Sequence, residues 1–266
     1  MTLRVCLAGA TGWAGSALAR GIAHSPDLEL VAGVSRQQAG RRLGEVLGSP
    51  NLNTPLSASM AEALQIPCDV FVEYTRPETA KANISAAIRH GAHVVIGTSG
   101  LSDEDLAELG ALAEQQRVGV LVVGNFSLVN VVLQKCAELA AQHLPQWEII
   151  DYASADKPDA PSGTARELAY RLSQIRLPQV VVPIDQTQGP RASRGATLNG
   201  MQVHSIRLPG HVISVEALFG LLDQKFSIRY DAGSSAEDYV EGALLAIRRV
   251  NTFIGLKRGL DKVMGF

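Results

Sequence analysis

The fold is decided near the start of the chain, in the run LRVCLAGATGWAG at residues 3–15. Leu3 to Ala8 is an apolar, β-prone run, a Gly-x-x-Gly-x-x-Gly loop follows, and a helical pattern then extends from Ser16 to about His24. A second strand, Glu29 to Val34, comes at the distance expected of a βαβ unit. Such a loop lets backbone N–H groups approach a pyrophosphate, whereas three glycines alone could form a simple tight turn. The candidate cofactor contacts in this loop are Gly9, Thr11, Gly12, Trp13, Ala14 and Gly15.

Strands and helices alternate through the rest of the first half of the chain. Further strands are predicted at Val70 to Glu73, His93 to Gly97 and Gly119 to Val123, with helices at about Pro77 to His90 and Ser102 to Gln116. Apolar strands that alternate with helices indicate an α/β fold with a Rossmann-like, doubly wound parallel sheet.

The pattern changes after Asn125, which indicates a second, smaller α+β domain with an open mixed sheet. Its predicted helix covers about Val129 to His143, and its predicted strands are Trp147 to Tyr152, Gln202 to Leu208, Val212 to Phe219 and Lys225 to Asp231. A final helix is predicted at Ala236 to Val250. We therefore expect a dinucleotide-binding domain at 1–125, a substrate-binding and oligomerisation domain at 126–235, and a C-terminal segment, 236–266, that packs back on the first domain.

Composition excludes several classes of protein. The net charge is −2 and the basic residues are scattered, which argues against nucleic acid as a partner. No apolar run reaches the ~20 residues of a membrane helix, and no signal peptide is recognised, so no membrane association is expected. Cys6, Cys68 and Cys136 lie in apolar contexts without CxxC spacing, which predicts buried, reduced thiols rather than disulfides or a metal site. A cytoplasmic protein is expected.

The end of the second predicted strand bears on the choice of cofactor. An acidic residue there would bind the ribose 2′-OH of NAD and repel a 2′-phosphate. The chain instead has Ser35-Arg36-Gln37-Gln38, in which Arg36 offers a fork suited to phosphate and Ser35 a second donor. NADPH is predicted, with weaker use of NADH possible. The alternative is that Arg36 is simply a solvated surface residue.

A second anion site is indicated by the run DKPDAPSGTA at residues 156–165. Ser162 or Thr164 can cap a helix from Ala165 to about Ser173, whose free N–H groups attract a carboxylate or phosphate. Lys157 adds a full positive charge. By composition alone the run could also be an ordinary Pro-rich turn before a helix.

The order of these residues resembles the substrate-binding signature of the dihydrodipicolinate reductases (4-hydroxy-tetrahydrodipicolinate reductases) of lysine biosynthesis. The resemblance extends over essentially the whole chain and implies an NADPH-dependent oxidoreductase, active as a homotetramer, that acts on a small carboxylic acid. It assigns substrate binding to Lys157, Ser162, Gly163 and Thr164, with Lys157 also the catalytic candidate. It adds cofactor contacts at Tyr74, Thr75, Gly97, Thr98, Ser99, Asn125 and Phe126.

The chain departs from the family pattern where a His-His pair precedes the signature lysine. Ala153 and Ser154 stand at those positions, and neither can titrate near neutral pH. Three hypotheses follow: a reductase of the family substrate that obtains its proton elsewhere, a reductase of another cyclic imine or imino acid outside lysine biosynthesis, or a catalytically weak NADP-binding regulatory protein.

Overall fold

The computed structural model describes residues 2–266, which divide into two compact units. The first unit contains the chain up to Leu128 and again from Ala236 to Phe266, and Val129–Ser235 forms the second. The sequence places the boundary after residue 125.

The strands of residues 2–266 are numbered in chain order. They are β1 Leu3–Ala8, β2 Leu28–Val34, β3 Leu56–Ser57, β4 Val70–Glu73, β5 His93–Ile96, β6 Gly119–Val122, β7 Gln146–Ala153, β8 Ala196–Leu198, β9 Met201–Arg207, β10 Ile213–Leu221, β11 Gln224–Asp231 and β12 Gly255–Arg258.

The α-helices are numbered in the same way. They are α1 Trp13–Ala23, α2 Leu43–Leu47, α3 Met60–Ala63, α4 Pro77–Arg89, α5 Asp103–Gln116, α6 Leu128–His143, α7 Gly163–Ser173 and α8 Val240–Arg249. Short 3-10 turns occur at Ile184–Gln186, Arg191–Arg194, Ala236–Tyr239, Val250–Thr252 and Leu260–Val263.

The first unit contains a seven-stranded sheet in the order β12-β6-β5-β4-β1-β2-β3, and every pair of neighbours is parallel. Phe71 of β4 and Ile84 of α4 belong to one fully buried core cluster, to which α5 also contributes. α1 packs against β1 and β2. Parallel neighbours bring the carboxyl ends of the strands to one edge, where ligands bind in open α/β sheets. The predicted doubly wound α/β fold is confirmed.

The helices of this unit begin where local chemistry favours it. Ser102 and Asp105 form a reciprocal capping box at α5, and Pro77 occupies the first turn of α4, where its missing N–H costs nothing. Gly12 begins α1 without a side-chain cap.

The second unit contains a mixed five-stranded sheet in the order β11-β10-β7-β9-β8. β7 and β9 are parallel, and the other neighbours are antiparallel. One face packs against α6 and α7 through a core that includes Leu133, Trp147, Leu168 and Phe219. The open mixed sheet that the sequence predicts is confirmed.

The C-terminal segment packs within the first unit. α8 lies against α1, where a Cβ on Gly21 would meet the Val240 side chain at 2.4 Å. Arg248 forms an ion pair with Asp27 at 2.7 Å. β12 adds the seventh strand by pairing with β6.

Several sequence-based expectations need correction. The predicted helix at 236–250 is a 3-10 turn followed by α8, and α7 begins at Gly163 rather than Ala165 because Ser162 is the cap. Cys6 is buried, but Cys68 is only half-buried and Cys136 is exposed, because Cys136 faces away from the core that Leu133 and Ala137 enter. The sequence did not predict β3, β8, β12, α2 and α3, because these short elements lack a readable hydrophobic periodicity.

Within residues 2–266, no helix combines the length and apolar character needed to cross a membrane. The same residues contain no group of three or more His, Cys, Asp or Glu side chains arranged to hold a metal ion.

Candidate active site

The glycine loop between β1 and α1 is tightly closed. Gly9 has a φ of +78°, a conformation that glycine adopts readily, and its carbonyl accepts a hydrogen bond from the Gly12 N–H at 2.9 Å. A Cβ on Gly9 would lie 2.4 Å from the Tyr74 carbonyl oxygen, and a Cβ on Gly15 would lie 2.1 Å from that of Gly9. Side chains are excluded at both positions, so the loop backbone can approach a ligand closely.

The N-terminus of α1 completes this arrangement. The N–H groups of its first turn, at Trp13, Ala14 and Gly15, have no carbonyl partner within the helix, and the helix dipole places positive charge there. Trp13 is 63% exposed, and its ring packs edge-on against Tyr239 with the centroids 5.9 Å apart. This geometry fits the pyrophosphate of a dinucleotide.

A cleft of about 610 Å³ adjoins the loop. Among the predicted cofactor residues, those that line it are Gly9, Thr11, Gly12, Ser35, Arg36, Tyr74 and Thr75. Thr11 Oγ1 lies 2.8 Å from Ser35 Oγ, which ties the glycine loop to the end of β2. Arg36 is exposed. Of the predicted phosphate-binding residues, Gly9, Gly12, Ser35 and Arg36 therefore share one cavity, which Gly15 does not line.

Five polar residues of the same cleft were not predicted: Gln37, Ser59, Arg76, Thr79 and Asn83. Arg76 is the N-cap residue of α4, and Ser59 caps α3. Arg76 lies in the sequence run that also contains Tyr74 and Thr75, so its proximity to them was a usable signal. Ser59 offered none, because α3 is a single turn.

The other predicted cofactor residues do not line the cleft. Trp13, Ala14 and Gly15 lie in the first turn of α1, and the rest follow β5 and β6 at the carboxyl edge of the sheet. A Cβ on Gly97 would lie 2.2 Å from Tyr74 Cε1, and the Tyr74 ring packs edge-on against Phe126 with the centroids 5.6 Å apart. Burial raises the pKa of the Tyr74 phenol. The Thr98 hydroxyl donates to the Glu73 carbonyl at 3.1 Å.

Ser99 and Asn125 occupy the two loops themselves. Ser99 is exposed in the loop after β5. Asn125 is half-buried, and its Oδ1 accepts a hydrogen bond from the Ser127 N–H at 2.8 Å.

The second unit contains the predicted anion turn, which is anchored from beneath by a buried carboxylate. Ser162 is fully buried, and its hydroxyl accepts a hydrogen bond from the Ala165 N–H at 3.3 Å as the N-cap of α7. Asp151 Oδ2 accepts the Ser162 N–H at 2.9 Å and the Arg207 guanidinium at 2.8 Å. Arg207 also donates to the Asp159 carbonyl at 2.6 Å. The turn is thus tied to two strands of the sheet.

The other residues of the turn remain accessible. Gly163 is exposed, and a Cβ there would meet no atom closer than 3.9 Å. Thr164 lies in the first turn of α7 and does not cap it. Lys157 Nζ lies 2.7 Å from Asp159 Oδ1, and this hydrogen bond holds the pKa of the Asp159 carboxyl below its usual value.

Comparison with known proteins agrees with this geometry. Residues 3–126 match the family described as dihydrodipicolinate reductase, N-terminus, and residues 129–263 match its C-terminal counterpart. The chain belongs to the dihydrodipicolinate reductase family. It is an oxidoreductase of an NAD(P)H-dependent family, as predicted.

Curated members of the dihydrodipicolinate reductase family align over nearly their whole length. A 4-hydroxy-tetrahydrodipicolinate reductase from Thermosynechococcus vestitus is 35% identical, with 98% of this chain and 97% of that protein covered. One from Moorella thermoacetica is 36% identical over 100% of this chain and 99% of the relative.

Solved structures show the same fold. A dipicolinate-bound dihydrodipicolinate reductase from Paenisporosarcina sp. TG-14 superposes with a TM-score of 0.88 at 30% identity, covering 99% of this chain and 100% of the other. An amine dehydrogenase from Mycobacterium smegmatis gives 0.68 at 15% identity, with 99% and 96% covered, and this similarity concerns the fold alone.

The structure locates the two residues at which this member departs from the dihydrodipicolinate reductase pattern. Ala153 is fully buried at the end of β7, whereas Ser154 is half-buried. The Ser154 hydroxyl donates a hydrogen bond to the Asp156 carboxylate. Neither position holds a group that titrates near neutral pH.

Other candidate proton donors in this unit are engaged in hydrogen bonds or ring contacts. The Tyr152 hydroxyl donates to Glu216 at 2.9 Å, and burial together with that bond raises the pKa of Tyr152. His204 Nε2 lies 2.7 Å from Glu148 Oε2. The His211 ring lies 5.3 Å from that of Tyr152.

Proposed function

We propose that this chain is an NADPH-dependent reductase that transfers hydride to an imine or unsaturated carbon of a small carboxylic acid. The observation that carries the proposal is the anion turn. Ser162 caps α7, Asp151 anchors the turn from beneath, and Gly163 and Thr164 expose the start of the helix, with Lys157 in the same turn. A family member with this turn retains the means to bind a carboxylate.

The chain's own residues would bind and orient the two reactants. Backbone N–H groups at Gly163 and Thr164 would donate to the substrate carboxylate, and Lys157 would add a charge-assisted hydrogen bond. The glycine loop and the N-terminus of α1 would hold the cofactor pyrophosphate. When bound, NADPH supplies the hydride.

The preference for NADPH is supported by the composition of the cleft. Arg36 and Ser35 both line it at the end of β2, and no acidic residue follows that strand before Arg41. An arginine fork binds a 2′-phosphate well, whereas an acidic residue would favour the free ribose hydroxyls.

Calorimetric titration of NADPH and NADH tests this preference. Arg36→Ala removes a charge-assisted hydrogen bond that contributes about 1.5–3 kcal/mol. The affinity for NADPH should therefore fall about tenfold to a hundredfold, while the affinity for NADH stays nearly unchanged. Arg41→Ala is the matched control, because Arg41 is exposed nearby and bonds to Gln38 outside the cleft lining. Equal wild-type affinities for the two cofactors would refute the preference.

The substrate itself is best tested with a panel. We propose that dihydrodipicolinate is reduced poorly and that another cyclic imino acid is reduced better, since the missing histidine would typically contribute about 10²- to 10⁴-fold in rate. NADPH oxidation is measured against each compound. Robust turnover of dihydrodipicolinate, comparable with the best alternative, would contradict this. NADPH binding with no turnover of any compound would favour the regulatory hypothesis.

Restoring a histidine sharpens the experiment. Ser154→His places an imidazole at a partly exposed position, whereas Ala153→His must force a ring into a fully buried one. Ser154→His should therefore raise the rate on dihydrodipicolinate without loss of stability, and the double variant should lose stability.

Oligomeric state and location belong to the same proposal. We propose a homotetramer assembled through the sheet of the second unit, where Phe226, Leu221 and Leu222 are exposed. Light scattering at several protein concentrations tests the tetramer. The free cysteines support a reducing compartment such as the cytoplasm.

A further inference from the structure

Glu73 is a charged side chain in the core of the first sheet. It ends β4, where its register partners are Ala8 of β1 and Ile96 of β5, and its relative exposure is 0%. A buried carboxylate is costly unless hydrogen bonds satisfy it, so its retention at the ligand-binding edge calls for a physical reason.

The carboxylate is satisfied by neutral donors from three segments. Oε1 accepts the Thr75 N–H at 2.7 Å and also the Thr75 hydroxyl, and Oε2 accepts the Asn83 amide at 2.9 Å. The Thr98 hydroxyl lies 3.1 Å from the Glu73 carbonyl oxygen and 3.5 Å from Oε1. Burial raises the pKa of Glu73, and the hydrogen bonds from Thr75, Asn83 and Thr98 oppose that rise.

These donors do not belong to one structural element. Thr75 lies in the loop after β4, Asn83 lies on α4, and Thr98 lies in the loop after β5. Thr75 and Asn83 line the cleft beside the glycine loop. A single carboxylate therefore fixes the positions of two loops and one helix at the edge where the cofactor is proposed to bind.

We propose that Glu73 is a positioning residue for the cofactor: it fixes the loops after β4 and β5 so that Thr75, Asn83 and Thr98 are preorganised for NADPH. The inference rests on the proposed function, because it assumes that this edge binds the cofactor. Preorganisation lowers the cost of ordering loops on binding.

Glu73→Gln is the principal test. The variant keeps the size of the side chain but replaces one acceptor oxygen by an NH2 group, which faces donors and cannot accept from them. The KM for NADPH should rise at least tenfold, while the KM for the imino acid stays within twofold, because the anion turn lies in the other unit.

Glu78→Gln is the matched control. Glu78 is exposed in the first turn of the same α4, and the chemical change is identical. Its kinetic constants should equal those of the wild type. A second readout is the double variant Glu73→Gln/Thr98→Val, whose KM for NADPH should rise by less than the product of the single effects, because both substitutions break the same network.

The outcomes separate the two proposals. A wild-type protein that does not bind NADPH refutes the proposed function. A wild type that binds NADPH, with Glu73→Gln kinetically equal to Glu78→Gln or with both KM values raised equally, overturns the positioning role. If Glu73→Gln does not fold, Glu73→Asp replaces it: a selective rise in the KM for NADPH supports the role, and an unchanged KM overturns it.

Discussion

Asp151→Asn should destabilise the second unit by about 3 kcal/mol. Asp151 is fully buried and paired with Arg207, whose side chain is 17% exposed. Removing one partner of a buried ion pair costs about 3–5 kcal/mol, because the other charge stays buried without compensation. Asparagine keeps one acceptor oxygen for the Ser162 N–H, so the lower end of that range applies.

Urea unfolding measures this effect through Trp147, which is 4% exposed and packs on Phe219 at 5.8 Å in the same unit. A Trp13→Phe background removes the other tryptophan of the chain. The free energy of unfolding should fall without a change in the denaturant dependence. Because Asp151 anchors the anion turn through the Ser162 N–H, the KM for the carboxylate substrate should also rise while the KM for NADPH stays constant.

The double variant Asp151→Asn/Arg207→Gln serves as the control, because it removes both charges. The double variant should lose less free energy of unfolding than the sum of the losses in Asp151→Asn and Arg207→Gln, by about 0.5–3 kcal/mol, as expected for coupled residues. Additive effects, or an Asp151→Asn variant within about 0.5 kcal/mol of the wild type, would show that the buried pair does not stabilise the turn.

Three further outcomes are expected. Lys157→Ala should abolish turnover with near-normal NADPH affinity by calorimetry, and an unchanged kcat/KM would exclude a role for the lysine. Gly9→Ala should strongly lower the affinity for NADPH in the same titration, because the alanine Cβ would lie 2.4 Å from the Tyr74 carbonyl oxygen. Burial lowers the pKa of His93, whose Nδ1 accepts the Gly119 N–H at 2.8 Å. The contribution of the neutral His93 to the free energy of unfolding is therefore complete above the unfolded-state pKa of about 6.5. It is lost as pH falls through the lower pKa of the folded state. Urea unfolding between pH 7 and pH 5 should show this loss in the wild type and a weaker one in His93→Gln.

Local sequence features predicted much of the fold and of the candidate site. The glycine loop and the anion turn are each contained in about ten consecutive residues, so their chemistry can be read without knowing what packs against them. β12 could not be predicted, since Gly255 to Arg258 is short and partly exposed and becomes a strand only by pairing with β6. The exposure of Cys136 likewise depends on which face of α6 the core covers.

The anchoring carboxylates were missed for a related reason. Asp151 meets Arg207, 56 residues away, and Glu73 meets Thr98, 25 residues away. One signal was available: in β7, Trp147, Ile149, Asp151 and Ala153 alternate toward the buried face. A carboxylate at an inward position of an apolar strand requires a buried partner, although the sequence does not reveal which one.

The ion pair within the anion turn has a consequence for how the turn could accept a substrate. Lys157 is paired with Asp159, so under the proposed function a substrate carboxylate would have to compete with that side chain for the ammonium group. Arg166 Nη2 already lies 3.9 Å from the other Asp159 oxygen, and the same arginine donates to the Pro161 carbonyl at 2.5 Å. When an anion takes Lys157, Asp159 therefore keeps a cationic neighbour, and the exchange leaves no carboxylate unpaired. Since these charges are partly exposed, the exchange should be inexpensive and sensitive to salt.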